Sequence, residues 1–128
     1  MRDASQADPH EGQSVQLAVS NAMVKLYKEQ FGRGPTKART NFAGADVIIC
    51  TLEDSLTPAE RNLVALGEHG RIRDVRMFFQ HAAEDEFRAI IEEKAGRKVW
   101  AFVSGIDTTN DVSSEVFYLK SENGAGPE

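Results

Sequence analysis

At 128 residues the chain has room for one domain and little more, and its 41% hydrophobic and 27% charged residues are ordinary for a globular protein. No apolar run approaches the roughly 20 residues needed to cross a bilayer, and the opening MRDASQADPHEGQ lacks the apolar core of a signal peptide. The single cysteine, Cys50, excludes an internal disulfide and a cysteine-based zinc cluster. A channel or pump formed by this chain alone is therefore excluded, and the cytoplasm is the expected compartment.

The net charge of −5 is concentrated in the tails, since residues 1–12 and 121–128 each carry −2 and the rest carries only −1. Within 13–120 the charge is segregated. Residues 13–52 hold five Lys/Arg against two acids, 71–76 three Arg against one Asp, and 84–93 five acids against one Arg. Such bias can steer a small anion or an acidic partner, but it is too weak for general binding to a nucleic-acid duplex.

Polar, small and charged residues dominate 1–12 and 121–128, which are expected to be disordered tails around one domain at 13–120. The 3, 4 spacing of Val15, Val19, Ala22 and Leu26, widened by Met23 and Phe31, predicts a helix over 13–31 that stops at Gly32. Ala38, Thr40 and Phe42 alternate with Lys37, Arg39 and Asn41 as in a strand with one wet face. After the short turn AGA, DVIICTLE reads as a strand covered on both faces and paired with the one before it. Thr57, Pro58 and Glu60 form a capping box that opens a short helix ending near Gly67 or Gly70.

A long helix is then expected over 71–95, burying Val75, Phe79, Ala82, Phe87, Ile90 and Ile91 and stopping at Gly96. Arg88 can pair with Glu84 and Glu92 along it. KVWAFVSG and SSEVFYLK supply two more strands around the turn IDTTND, and the first of these looks covered on both faces. The order α-β-β-α-α-β-β with short strand connections predicts a two-layer α+β fold, with a four-stranded, mainly antiparallel sheet, two long helices and one short one. YKEQFGRGPTKA and IEEKAGRKVWA make a faint internal repeat, and two helix-to-strand junctions using the same stop residues explain it equally well. Strands apolar on both faces need cover on the second face, which a homodimer would supply.

The segment FGRGPTKART resembles a phosphate loop in composition but follows a helix and precedes a strand. That is the reverse of the P-loop and dinucleotide-binding contexts, and both glycine patterns fail. What remains is an anion site made by the side chains of Arg33, Thr36, Lys37 and Arg39, which Arg73 or Arg76 could join. The plainer alternative is a helix stop and a Gly-Pro turn. His10, His69 and His81 lack metal-ligand spacing. Asp107, Asn110 and Asp111 read as an ordinary turn lacking the oxygen set of a calcium loop.

Cys50, in an apolar strand with no neighbouring histidine, reads as a small core residue. Ser104 lacks the nucleophile-elbow pattern. Trp100 and Phe102 can stack bases in principle, but core packing explains them better. No catalytic residue, metal or cofactor is implied.

Three long stretches, SNAMVKLYKEQFGRGPTKART, DVIICTLEDSLTPAERNLVALGE and RIRDVRMFFQHAAEDEFRAIIEEKAGRKVWAFVSG, together resemble the MpsC-like family of bacterial domains. The likeness covers about Ser14 to Leu119 and is most specific in GRGP with its following Lys and Arg and in LEDSLTPAE, where Ser55 stands at a position often glycine in the family. The resemblance implies a small cytosolic protein. Some members are encoded beside a sodium-translocating, membrane-potential-generating system linked to inorganic-carbon uptake, and no agreed catalytic residues can be carried over. The expected role is a non-enzymatic accessory or regulatory protein, a dimer that binds a partner protein and a small anion. The alternatives are a nucleic-acid-associated regulator using Lys37 and Arg39, and an enzyme whose site is assembled from distant residues.

Overall fold

The computed structural model describes residues 14–121, so the tails expected at 1–12 and 121–128 lie, Ser121 apart, outside the described residues. Eight elements follow one another: α1 (Val15–Phe31), β1 (Lys37–Phe42), β2 (Val47–Glu53), α2 (Pro58–Ala65), α3 (His69–Ala82), α4 (Glu84–Ala95), β3 (Val99–Asp107) and β4 (Val112–Leu119). The strands form one antiparallel sheet in the order β1-β2-β4-β3. The α+β class with four antiparallel strands is as expected. The helix count is not, because the single long helix expected over 71–95 is two.

The break falls at Ala83, whose φ of −101° and ψ of 13° leave the helical region. Glu84, Asp85 and Glu86 then occupy the first turn of α4. Three carboxylates are favourable at a helix N-terminus, where they meet its positive end, and gain nothing of the kind in a helix interior, so this acidic run suits a new start. The break also resets the helical phase. Ile72, Arg76 and Gln80 are the buried residues of α3, while Val75 is 48% and Phe79 37% exposed and Ala82 is exposed. Phe87 and Ile91 of α4 do point inward, and so does Ala83 itself.

The core lies between the helices and one sheet face. Ile48, Cys50 and Leu52 of β2 and Phe117 and Leu119 of β4 meet Val19, Met23, Leu26 and Tyr27 of α1. Phe102 stacks between Phe87 and Phe117 with ring centroids 5.3 and 4.9 Å apart, which continues the core to β3. Only this face is covered. On the opposite face Val47, Ile49, Val116 and Tyr118 are half-buried, and Val103 is 56% and Trp100 44% exposed beside Tyr118. β2 and β3 are thus not buried on both faces, and Trp100 is not a core residue; β-branched residues serve a half-covered pleat as well as a fully buried one.

Local chemistry sets the joints. Gly32 closes α1 in the left-handed conformation at φ 80°, with its N–H bonded to Lys28 at 2.8 Å. Thr57 and Glu60 make both bonds of the capping box. Gly34 answers to packing, since a Cβ there would lie 3.1 Å from the Val24 carbonyl oxygen and 3.3 Å from Val24 Cγ1. Backbone cannot yield as a flexible side chain does. Gly34→Ala is expected to lower stability by about 1–2 kcal/mol in urea unfolding, with the helix content in circular dichroism unchanged.

Candidate functional site

The six residues singled out in the sequence as anion ligands divide into four groups. Arg33 turns back onto the segment after β2, donating to the carbonyl of Leu56 at 3.2 Å and pairing with Asp54 at 3.1 Å. Thr36 donates to the other Asp54 oxygen at 2.9 Å, and Arg61 from α2 also binds Asp54. These donors hold the Asp54 carboxyl below its usual range, Thr36 and Arg61 contributing most. Arg39 pairs across the strands with Glu53 at 3.2 Å. Lys37 lines a polar cleft of about 360 Å³ with Thr36, Glu53, Asp54, Arg61 and Asp111. Arg73 is exposed on α3, and neither it nor Lys37 has an ion pair among the described residues.

Arg76 is fully buried, and its guanidinium forms a fork onto both Glu60 oxygens at 2.6 and 2.8 Å. It also donates to the Ser55 carbonyl at 2.9 Å and lies 3.8 Å above the centre of the Phe31 ring. Burial pushes the Glu60 carboxyl up, but Arg76 and the capping bonds with Thr57 outweigh it and leave Glu60 below its usual range. Arg33 and Arg76 therefore converge on one segment, 54–56, which they hold through carbonyls and carboxylates. Asp111, at φ 57°, clasps the same segment by accepting from the Ser55 and Leu56 N–H groups at 2.9 and 3.1 Å.

A second constellation went unread in the sequence. Glu115 on β4 is 0% exposed beneath α1 and α3, where Tyr27 and Gln80 donate to its Oε2, the latter at 3.0 Å. Its other oxygen, Oε1, has no hydrogen-bond partner, and neither do the buried hydroxyls of Ser104 and Ser113. Cys50 is its cross-strand neighbour on one side and Ser104 on the other. Arg76 is the cation that acts on it, and the guanidinium of Arg76 is already committed to Glu60. Burial raises the Glu115 carboxyl to about 7, against the opposing pull of Ser104, whose hydroxyl is near without a formed hydrogen bond, and of Tyr27 and Gln80. Burial also raises the Cys50 thiol to about 11 and the Tyr27 phenol above its usual value, so both neighbours stay protonated at neutral pH. A lone buried carboxyl with one free oxygen can take up and release a proton near neutrality.

Compared with known families, residues 11–121 match the one described as Na+-translocating membrane potential-generating system (MpsC). The chain belongs to the MpsC family. No curated protein and no solved structure matches it. Among the described residues of this MpsC chain no helix is long and apolar enough to cross a membrane, and no cluster of three or more His, Cys, Asp or Glu side chains could hold a metal ion.

In the MpsC chain the buried pair of Arg76 and Glu60 leaves a testable mark. Truncating one member strands the other as an uncompensated buried charge, which costs far more than an exposed ion pair is worth. Arg76→Leu is expected to destabilise the domain by about 3–5 kcal/mol in urea unfolding. Arg39→Leu, which breaks only the exposed pair with Glu53, should stay within about 1 kcal/mol of the parent.

Proposed function

We propose that this protein is a non-enzymatic regulatory subunit of a membrane-potential-generating system, acting from outside the bilayer and responding to pH through Glu115. The observation that carries this reading is a fully buried carboxylate with one unpartnered oxygen and no cation of its own. Membership of the MpsC family supplies the setting. Where sodium translocation is coupled to proton movement the pH beside the membrane changes with it, and a proton-binding residue in an accessory protein is a direct way to sense that change.

Gln80 is the mechanical link. It reaches Glu115 from α3, which is also held by Ile72, by the Arg76 fork, by the His69 bond to Thr108 and by Phe79 against Phe31. An ionised Glu115 has two oxygens to satisfy and draws on donors from both α1 and α3 as well as on the nearby Ser104 hydroxyl, whereas a protonated one places a hydrogen of its own on Oε1 and needs them less. The seating of α3 then depends on the charge of one residue. The open sheet face with Ile49, Val116 and Trp100 is the surface offered to a protein subunit of the system. A small anion at Arg33, Thr36, Lys37 and Arg39 would have to compete with Asp54 and Glu53 for two of those cations, so it takes no part in this reading.

The test follows from linkage. The folded value is raised from the ordinary 4.5 to about 7, so the stabilisation is complete below the unfolded value and is lost as pH rises through the folded one. Wild type should lose about 3 kcal/mol of unfolding free energy between the unfolded and folded values and stay level above the latter. Glu115→Gln should remove that slope. Binding to solubilised membrane subunits of the system, identified by mass spectrometry, should differ between acidic and alkaline buffer for wild type and not for Glu115→Gln. Equal binding by both proteins across that range would overturn the reading.

A further inference from the structure

The two edges of the sheet are built differently. β1 is six residues long, and it carries Lys37 and Arg39, the kind of charges that discourage pairing with another chain. β3 is nine residues long, with no charged residue before Asp107. Its hydrogen-bond phase follows from two contacts. Lys120 N–H bonds the Lys98 carbonyl while Leu119 N–H bonds Asp46 on the other side, so even-numbered residues of β4 face β3 and odd-numbered ones face β2. Carried through the antiparallel register, the backbone groups of Phe102, Ser104 and Ile106 point away from β4. Val99 is the exception among the outward groups. Its N–H is taken by Glu92 at 3.0 Å and its carbonyl by Arg88 at 3.0 Å, just before the bulge between Val99 and Ala101. The start of the strand is thus closed off and the rest is open.

Beside the open part runs a cleft of about 260 Å³ between β3 and the α3–α4 junction, lined by Met77, His81, Phe102 and Val103 among others. Met77 is 61% and Val103 56% exposed, one in the helical layer and one in the sheet layer at the same edge. A groove between an edge strand and a helix is the arrangement that accepts an added strand.

We propose that β3 pairs antiparallel with β3 of a second copy of this chain, joining two four-stranded sheets into one of eight. The charges favour self-pairing. Arg97 is committed to Asp46 within its own chain, but Lys98 is 75% exposed just before the strand and Asp107 ends it, so antiparallel pairing sets the basic start of each copy beside the acidic end of the other, with no like charges opposed between. A two-fold axis perpendicular to the sheet keeps the helices of both copies on one side and brings each Met77 toward its counterpart. This dimer leaves the open sheet face free and does not depend on the role of Glu115.

Sedimentation equilibrium on the full chain at micromolar concentration should give twice the 14.1 kDa mass. Ile106→Pro removes an outward N–H without touching the ladder to β4, and Met77→Lys charges the cleft. Each should weaken dimerisation by at least about tenfold while the circular dichroism spectrum stays native. Ile49→Lys, on the open face, should leave the dimer intact. A wild-type monomer would refute the proposal, and so would a dimer that Ile49→Lys disrupts and the two edge variants do not.

Discussion

The fork from Arg76 onto Glu60 organises more of this molecule than any apolar contact. Glu60 is at once the third residue of α2, the partner that completes the capping box with Thr57, and the counter-ion of a guanidinium with no exposure to water. Arg76 extends from α3, touches the backbone at Ser55 and covers Phe31 at the end of α1. Four separate parts of the chain therefore meet at one planar cation. Its planarity matters, because only a delocalised fork can bind a carboxylate in two places and still lie flat on an aromatic ring.

The same cation explains why α3 is turned as it is. A helix with Val75, Met77, Phe78 and Phe79 along it invites the expectation that these residues face the core. The core instead takes Ile72, Arg76 and Gln80, because Glu60 and Glu115 are already buried and each needs a donor from α3. An unsatisfied buried carboxylate costs more than an exposed phenylalanine, so electrostatics set the phase of the helix and the aromatic residues were left at its surface.

What could be read in the sequence was what is decided locally. The αL stops at Gly32 and Gly96, the capping box at Thr57 and the antiparallel neighbours β1 and β2 all follow from a few adjacent residues. The break at Ala83 was legible in part, since Glu84, Asp85 and Glu86 make a good helix start, but apolar periodicity runs across them and conceals it. Glu115 was concealed in another way. In VSSEVFYL the two faces are Val112, Ser114, Val116, Tyr118 and Ser113, Glu115, Phe117, Leu119, and the face holding the acid and a serine is the buried one. Alternation alone would have put it in water. The composition of FGRGPTKART suggests an anion loop, but Arg33 and Arg39 pair with carboxylates contributed from 53–54, residues too far along the chain for any local pattern to pair with them.

The polar underside of α3 also bears on how that helix comes away. Its buried residues are one isoleucine, one arginine and one glutamine, with Phe79 partly covered against Phe31, so the local opening exposes a larger polar share and carries a smaller heat-capacity change than the melting of α1 or α4. Its free energy should vary little with temperature and strongly with the charge state of the groups it covers. Cooling, which weakens hydrophobic packing elsewhere in the domain, leaves this helix seated much as before.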